Sequence, residues 1–409
     1  MVGPDDTPES ESAEEAPTVT SDADLRGDTA IAVREAIASA GVGKDELNST
    51  LPAIDGINDV VVRDGVASIT ISLPIPSETF RERFAADVAS AAESVDSVES
   101  VDIDFQASVP DPGERIDALP DVKNIVAVAS GKGGVGKSTV AANLAIALAD
   151  TGAAVGLLDA DVYGPNAPTF LGIHEQTPDA TTDDKMVPRD AYGVRIMSMG
   201  FIAGEDDPVI WRGPLVDEFV KQLFGDVQWG ELDYLIVDLP PGTGDAHLSL
   251  VQHLPVTGVV IVTTPQAVAV DDAARGLVGF ARYDVPVLGI VENMASFECP
   301  DCGEIHDVFG TGGADNLAEQ FNVPILGQIP LDPAVGTVES GGGAERPPGI
   351  DIPLVGRLQL PRTYEERVQS DKTPPVALRN DGGAAQEQLR ISATRIAARL
   401  NQVTVTFQN

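Results

Sequence analysis

Basic residues are scarce in this sequence. Lys and Arg together number 26 against 64 Asp and Glu, giving a formal net charge of −38. A field of that sign repels nucleic-acid backbones and anionic membranes, and no local basic patch offsets it, so no nucleic acid and no membrane is expected among the partners. The acid is spread over the whole chain and Lys is scarcer than Arg, as on a protein kept soluble in high salt. The charge is read as adaptation of the host, not as function. Long apolar runs are missing too: nothing approaches the roughly 18 uncharged residues of a membrane span. The stretch Met1–Leu25 holds no Lys, no Arg and no apolar core, so it does not read as a secretory signal or transit peptide, and the cytoplasm is the expected location. Cysteine is nearly absent. Cys299 and Cys302 are the two in the chain; they build no disulfide framework and suit a reducing compartment.

What is present is a globular composition, 43% hydrophobic over 409 residues, long enough for two or three domains. Residues 1–26 are rich in Asp, Glu, Ser, Thr and Pro, and are expected to form an acidic disordered tail. Residues 27–107 read as a small α+β domain. Ala30–Ala40 is a helix, Val60–Arg63 and Val66–Leu73 are strands meeting at Asp64-Gly65, Glu78–Ala92 is a helix and Val98–Phe105 an alternating strand. Pro110, Pro112, Gly113 and Pro120 mark a linker over 108–121.

Residues 122–400 alternate strand and helix: strands Asn124–Ala129, Val155–Asp159, Tyr234–Asp238, Gly258–Thr263 and Val287–Glu292, with helices Ser138–Thr151, one near His247–His253, Val270–Tyr283 and Gly313–Phe321. Several strands are unbroken apolar runs, as in a parallel sheet covered by helices on both faces. The expectation is an α/β fold with a doubly wound, mostly parallel sheet that binds ligands at the carboxyl ends of its strands. A final helix, Ala384–Leu400, and a C-terminal tail, 401–409, close the chain. The run Val323–Leu331 is echoed by Ile352–Leu360, either by chance or by local duplication.

The most specific signal is Gly131-Lys132-Gly133-Gly134-Val135-Gly136-Lys137-Ser138-Thr139, placed between the strand Ile125–Ala129 and a helix. This is a P-loop in the context the motif requires. Glycines let successive N–H groups curl around phosphate oxygens, and the helix N-terminus adds positive potential. ATP is the expected ligand. Lys137 would bridge the β- and γ-phosphates, Ser138 would ligate Mg²⁺, and Thr139 would reach the α-phosphate. Two acidic strand ends complete the site: Asp159-Ala160-Asp161 and Asp238-Leu239-Pro240-Pro241-Gly242-Thr243-Gly244-Asp245. Asp238 suits the metal's water shell, and Asp161 either polarises the attacking water or joins that shell. Asp159 and Asp245 serve equally well as turn or helix caps. Gly242 is expected to present its N–H to the γ-phosphate, so that nucleotide state moves the following loop.

Cys299-Pro300-Asp301-Cys302 lies in a polar loop after the strand Val287–Glu292. Two thiolates at this spacing hold a metal, form a redox disulfide or do neither. A thioredoxin-like role would need the pair to open a helix, whereas Gly303 and acidic residues follow. Two ligands leave a tetrahedral site open. A two-fold homodimer would supply four Cys, suited to [4Fe–4S] or to Zn²⁺. One chain alone would need His306 as a third ligand and Glu298 or Glu304 as a fourth.

With these residues placed, the chain resembles the Mrp/NBP35 (ApbC-like) iron–sulfur cluster carrier ATPases, within the deviant-Walker class that includes the MinD and ParA proteins. The resemblance covers about 122–335. It is carried by Gly131–Thr139, Asp159-Ala160-Asp161-Val162-Tyr163-Gly164-Pro165-Asn166-Ala167-Pro168, Asp238–Asp245, Thr264-Pro265-Gln266, Glu292-Asn293-Met294 and the cysteine pair. It implies a Mg²⁺-dependent, dimer-coupled ATPase that holds a labile [4Fe–4S] cluster between subunits on Cys299 and Cys302 and passes it to apo iron–sulfur client proteins. It also implies that Lys132 reaches the nucleotide of the facing subunit and that Asn293 contacts the adenine. Residues 27–107 resemble the MIP18/DUF59 domain, with Leu73-Pro74-Ile75-Pro76-Ser77 where that domain commonly carries a Cys. The stretch 341–361 looks inserted. The competing readings are a MinD/ParA-like partition or positioning switch and an ATPase with a structural zinc loop. The first would need a basic face or a membrane-binding C-terminal helix; Arg390, Arg395 and Arg399 against Leu389, Ile396 and Leu400 form only a modest stripe.

Overall fold

The computed structural model describes residues 22–44, 56–73, 78–107, 119–162, 164–173, 177–182, 185–201, 224–242, 256–299, 301–332, 349–352, 356–359, 375–378 and 383–408. The helix expected near His247–His253 and most of the acidic tail lie outside them.

Two sheets with separate cores organise the chain. The first takes α1 (Asp22–Ala40), β1 (Ile57–Arg63), β2 (Val66–Leu73), α2 (Glu78–Glu93) and β3 (Ser100–Ala107). Helix α1 starts inside the stretch expected to be tail. β1 and β2 form an antiparallel hairpin through Asp64 and Gly65, both at positive φ (51° and 80°), and β3 adds in parallel to β2. Val60, Val62, Ala67, Ile69 and Ile71 point inward against Val33 and Ile37 of α1 and Phe84 and Val88 of α2. Period-two burial of strands and period-3.6 burial of helices thus meet in one small core.

The second sheet holds β4 (Val122–Ala129), β5 (Val155–Asp159), β8 (Arg189–Ala191), β9 (Val194–Ser198), β10 (Leu232–Asp238), β11 (Gly258–Thr263), β12 (Val287–Asn293) and β15 (Ile325–Ile329). The two-residue strands β6 (Asp179–Ala180) and β7 (Met186–Val187) pair outside it, as do β13 (Phe297–Glu298) and β14 (Ile305–His306). Its order is β15-β12-β11-β4-β10-β5-β9-β8, parallel throughout except for the β8 edge. β8 and β9 were not expected from sequence. They join at Tyr192-Gly193, both at positive φ (53° and 77°), and a Tyr in that conformation is a weak turn signal.

β4 lies at the centre with both faces covered, so Ile125–Ala129 is buried end to end. Helix α3 (Lys137–Asp150) follows it and buries every residue from Val140 to Leu148, lying between the sheet and the last helix. The short α4 (Ala167–Phe170), then α5 (Ala267–Arg282) and α6 (Gly313–Phe321), follow in chain order. The last helix, α7, runs from Ala384 through Gln408, not to Leu400 followed by a tail. No Gly or Pro interrupts 384–408, so each added residue gains a backbone bond despite the β-branched run at 403–406. Leu389, Ile396 and Leu400 are buried in the main core. The stripe weighed above for membrane binding is used in packing, and no helix among the described residues is long and apolar enough to cross a membrane.

The echoed segments differ in backbone. Ile325–Ile329 is one parallel strand, whereas Ile352 ends β16 (Gly349–Ile352) and Gly356–Gln359 forms its antiparallel partner β17. A duplicated structural unit is therefore not what the similarity reflects. The hairpin β16–β17 occupies part of the stretch that looked inserted.

Candidate functional site

The carboxyl ends of β4, β10 and β5 meet at one edge of the sheet. Register pairs Asp238 with Val128 on one side and with Asp159 on the other, so the two carboxylates stand in one row beside the turn that leaves β4. That turn is Gly131–Gly136. Gly134 and Gly136 both sit at φ 82°, a conformation natural to glycine. Gly136 is the N-cap of α3, and no side chain caps the helix among the described residues, so its first N–H groups are left to a ligand. Gly131 has no room for a side chain: a Cβ there would lie 2.3 Å from the backbone of Asp272 in α5.

Lys137 is buried and donates to Asp238 Oδ1; its Nζ also lies 3.3 Å from Ser138 Oγ and 4.0 Å from Asp161 Oδ2. The structure therefore gathers Lys137, Ser138, Asp161 and Asp238 in one corner. Burial pushes the Asp238 carboxyl up while Lys137 opposes that shift. Asp238 Oδ2 is buried without a hydrogen-bond partner among the described residues. An orphaned carboxylate oxygen next to a hydroxyl and a second carboxylate is the donor set of a hard divalent cation with its water, so Ser138, Asp161 and Asp238 fit Mg²⁺.

Asp159 is a brace. It accepts from Asp161 N (3.2 Å), Ala167 N (3.0 Å) and Ser198 Oγ (3.0 Å), which ties the loop carrying Asp161 to β9. Burial and the Asp238 charge push its pKa up to about 7. Asp161 accepts from Gly164 N at 3.3 Å. Ser198 could not be found from sequence, because β9 itself was not expected.

Other predicted residues have partners outside that corner. Gly242, expected to offer its N–H to a γ-phosphate, donates it to Ser130 O at 2.9 Å. The main chains after β10 and β4 keep pairing beyond the sheet, as Leu239 N to Val128 O at 3.1 Å also shows. Thr243–Asp245 lie outside the described residues. Lys132 does not turn into its own carboxylate corner; its Nζ sits 3.5 Å from Gln266 Oε1 at the N-cap of α5. Asn293 uses an amide hydrogen on Val135 O at 2.9 Å, inside the loop.

Cys299 and Cys302 occupy the tip of the β13–β14 hairpin. Cys299 N donates to Glu304 O (2.9 Å) and Gly303 N to Cys299 O (2.8 Å), forming a tight knuckle with Gly303 at φ 71°. Both thiols are free; Cys302 is exposed and Cys299 partly so. N–H groups of Cys302 and Asp301 donate to the Cys299 sulfur and hold its thiol below the usual range, which favours the metal-binding thiolate. His306 pairs with Phe297 at the foot of the hairpin and lies 3.9 Å from Glu304. Among the described residues no three His, Cys, Asp or Glu side chains converge as metal ligands. The one-chain site on Cys299, Cys302 and His306 is thus not formed, because strand register keeps His306 away from the tip.

The chain that carries this loop, these carboxylates and these cysteines is similar to known proteins. The family model described as NUBPL iron-transfer P-loop NTPase matches residues 121–348. An iron-sulfur cluster carrier protein of Synechocystis is 47% identical over 302 residues, covering 72% of this chain and 85% of that one. One of Deinococcus radiodurans is 48% identical over 291 residues, covering 71% and 82%. Among solved structures, a nucleotide-binding protein of Archaeoglobus fulgidus in complex with ADP is 40% identical, covers 54% of this chain and 86% of its own, and superposes with a TM-score of 0.47. The extent of the family match and the identity to these relatives show that the chain belongs to the NUBPL iron-transfer P-loop NTPase family.

Proposed function

We propose that the protein is an ATP-dependent iron–sulfur cluster carrier that works in the cytoplasm as a homodimer, holding a [4Fe–4S] cluster on Cys299 and Cys302 of both copies and passing it to apo-proteins. The observation that carries this reading is the exposed knuckle: two thiols at a surface tip, with no third ligand nearby among the described residues. An incomplete set at a surface can be completed by a second copy and surrendered to a client.

The phosphate corner supplies the energy-coupled half. Lys137 is free to exchange Asp238 for phosphate oxygens, and the N–H groups of Gly134–Ser138 line the same turn. Asp161, held through Asp159 and Ser198, is placed to orient a water. Asp238, Asp161 and Ser138 would hold Mg²⁺, which when bound offsets the charge of the phosphates beside these carboxylates. Lys132, lying outside its own corner, is available to the nucleotide of the facing subunit, which makes turnover depend on dimerisation. Asn293, whose amide donates to Val135 O in the loop, is the proposed adenine contact, as the family resemblance implies.

Metal and sulfide analysis after anaerobic reconstitution tests the reading. About one cluster per dimer is expected, with the absorbance of a [4Fe–4S] centre, and transfer to an apo-protein that regains its own cluster. Zinc without iron, or a Cys299→Ala, Cys302→Ala chain that still holds the cluster, overturns it.

A further inference from the structure

The carboxyl end of β12 touches both halves of the proposed machine. Asn293 is buried and donates to Val135 O at 2.9 Å, and its Nδ2 lies 2.2 Å from where a Cβ on Gly136 would be. Met294 Cε lies 3.9 Å from that same point. Met294 itself sits at φ 57°, a left-handed conformation that a long side chain adopts only where its surroundings enforce it. The enforcing contacts are main-chain: Ala295 N donates to Ile329 O (2.9 Å) and Leu331 N to Ser296 O (2.6 Å). Phe297 then opens the cysteine hairpin. The return is pinned by the neighbouring residue, since Glu292 accepts from Ala314 N (3.0 Å) in the first turn of α6 and from Gln328 Nε2 (2.9 Å). The outgoing root is therefore fixed beside β15 directly after Met294, the returning chain is held to Glu292 at Ala314, eight residues past β14, and Asn293 between them holds the phosphate loop. The hairpin beyond, from Asp301 through its return strand to Val308, is exposed.

We propose that Asn293 is a positioning residue that ties the Cys299–Cys302 hairpin to the phosphate loop, with Met294 as the stiff joint and Glu292 fixing the return. A shift of Val135–Gly136 on nucleotide binding pulls on the Asn293 amide. Because Met294 is locked by the pairing of Ala295 and Ser296 with the end of β15, the shift is carried into the hairpin and not absorbed in a loose loop. The inference rests on the reading that a nucleotide binds at the loop, but it requires no cluster.

The test is the alkylation rate of Cys299 and Cys302 in the full-length, reduced, cluster-free protein, with and without a non-hydrolysable ATP analogue saturating for each variant. In the unsubstituted chain the analogue changes the rate by at least about fivefold, the low end of typical coupling between sites. In Asn293→Ala, which removes the tie, and in Met294→Gly, which keeps the tie but softens the joint, the change falls below about twofold. Far-UV circular dichroism checks that both variants fold; if Asn293→Ala fails to fold or to bind the analogue, Met294→Gly decides. Simple shielding of the thiols by subunit association would survive both substitutions, and an undiminished response in the deciding variants overturns the proposal. So does an unsubstituted chain that binds the analogue with no change in rate. An unsubstituted chain that binds no nucleotide overturns the ATP reading itself, and this inference with it.

Discussion

The phosphate loop and the cysteine hairpin follow the carboxyl ends of β4 and β12, two strands with β11 between them, yet are built in opposite ways. Beneath the loop, whose own Gly133 and Gly134 are exposed, the groups are buried: Lys137, Asp159, Asp161 and Asp238 sit among strands with no exposed residue, and α5 packs so close to Gly131 that a methyl group has no place. The hairpin has two residues per strand and a tip exposed on both sides. Charges aimed at a phosphate act strongly only where water is excluded and the donors cannot relax away. The proposed cluster ligands, which another protein would have to reach, need the reverse, a protruding turn whose N–H groups around Cys299 lower the pKa of its thiol. Rigidity at one end and access at the other are requirements of two kinds of chemistry.

Unfolding free energy measured by denaturant titration grades this contrast. Lys137→Ala should have the largest effect, about 3–5 kcal/mol, because it leaves Asp238 buried beside Asp159 without its cation. Nucleotide binding, followed by calorimetry, should be lost with it. A variant that stays as stable as the parent would mean that the corner is wetter than its packing implies. Gly131→Ala should cost about 1–3 kcal/mol by forcing α5 off the loop, and weaken nucleotide binding as the cradle shifts. Lys132→Ala comes next: its long contact to Gln266 is worth at most about 1 kcal/mol, so stability and binding should hold while turnover falls by about tenfold or more, since one cation at the developing charge is removed. Equal losses of binding in the Lys132 and Lys137 variants would count against a role for Lys132 across the dimer. The smallest effect belongs to the hairpin. Cys299→Ala with Cys302→Ala should change stability by under about 0.5 kcal/mol, as surface substitutions do, while iron retention after reconstitution drops to background. A large stability loss would instead mark the hairpin as a structural zinc loop.

Much of the sheet was legible because buried parallel strands leave a plain mark: unbroken apolar runs such as Ile125–Ala129 and Gly258–Thr263 have few other places to go. Helix α6 was legible to its end residues, since Gly312 at φ 76° and Asn322 at φ 52° stop it on both sides. The β8–β9 hairpin was not, because Arg189, Asp190 and Arg195 dilute its apolar pattern and its turn uses a Tyr at positive φ. The last helix outran its expected end because Val403–Thr406 argue locally for a strand, and cooperative helix propagation outweighs that preference. In the site, residue types were readable and their partners were not. Nothing local to Gly242 says that its N–H belongs to Ser130, and nothing local to Asn293 says that it braces Val135.

The sequence by itself determined the chemistry on offer: a glycine turn and lysine for phosphate, carboxylates at strand ends, and two thiols at a spacing that holds metal. Those follow from short runs whose backbone and side-chain needs are local. The tertiary structure alone decided which groups are engaged with one another: Lys137 with Asp238, Asp159 as the brace of Asp161, Lys132 turned away from its own corner, and the hairpin rooted on the residue that holds the loop. Apart from the local step from Asp159 to Asp161, these contacts join positions 101 to 158 residues apart, Asp159 itself reaches Ser198 39 residues away, and the row of carboxylates depends on the register of β10 against β5 and β4. Register and helix packing are set by the whole core, and no window of sequence contains it.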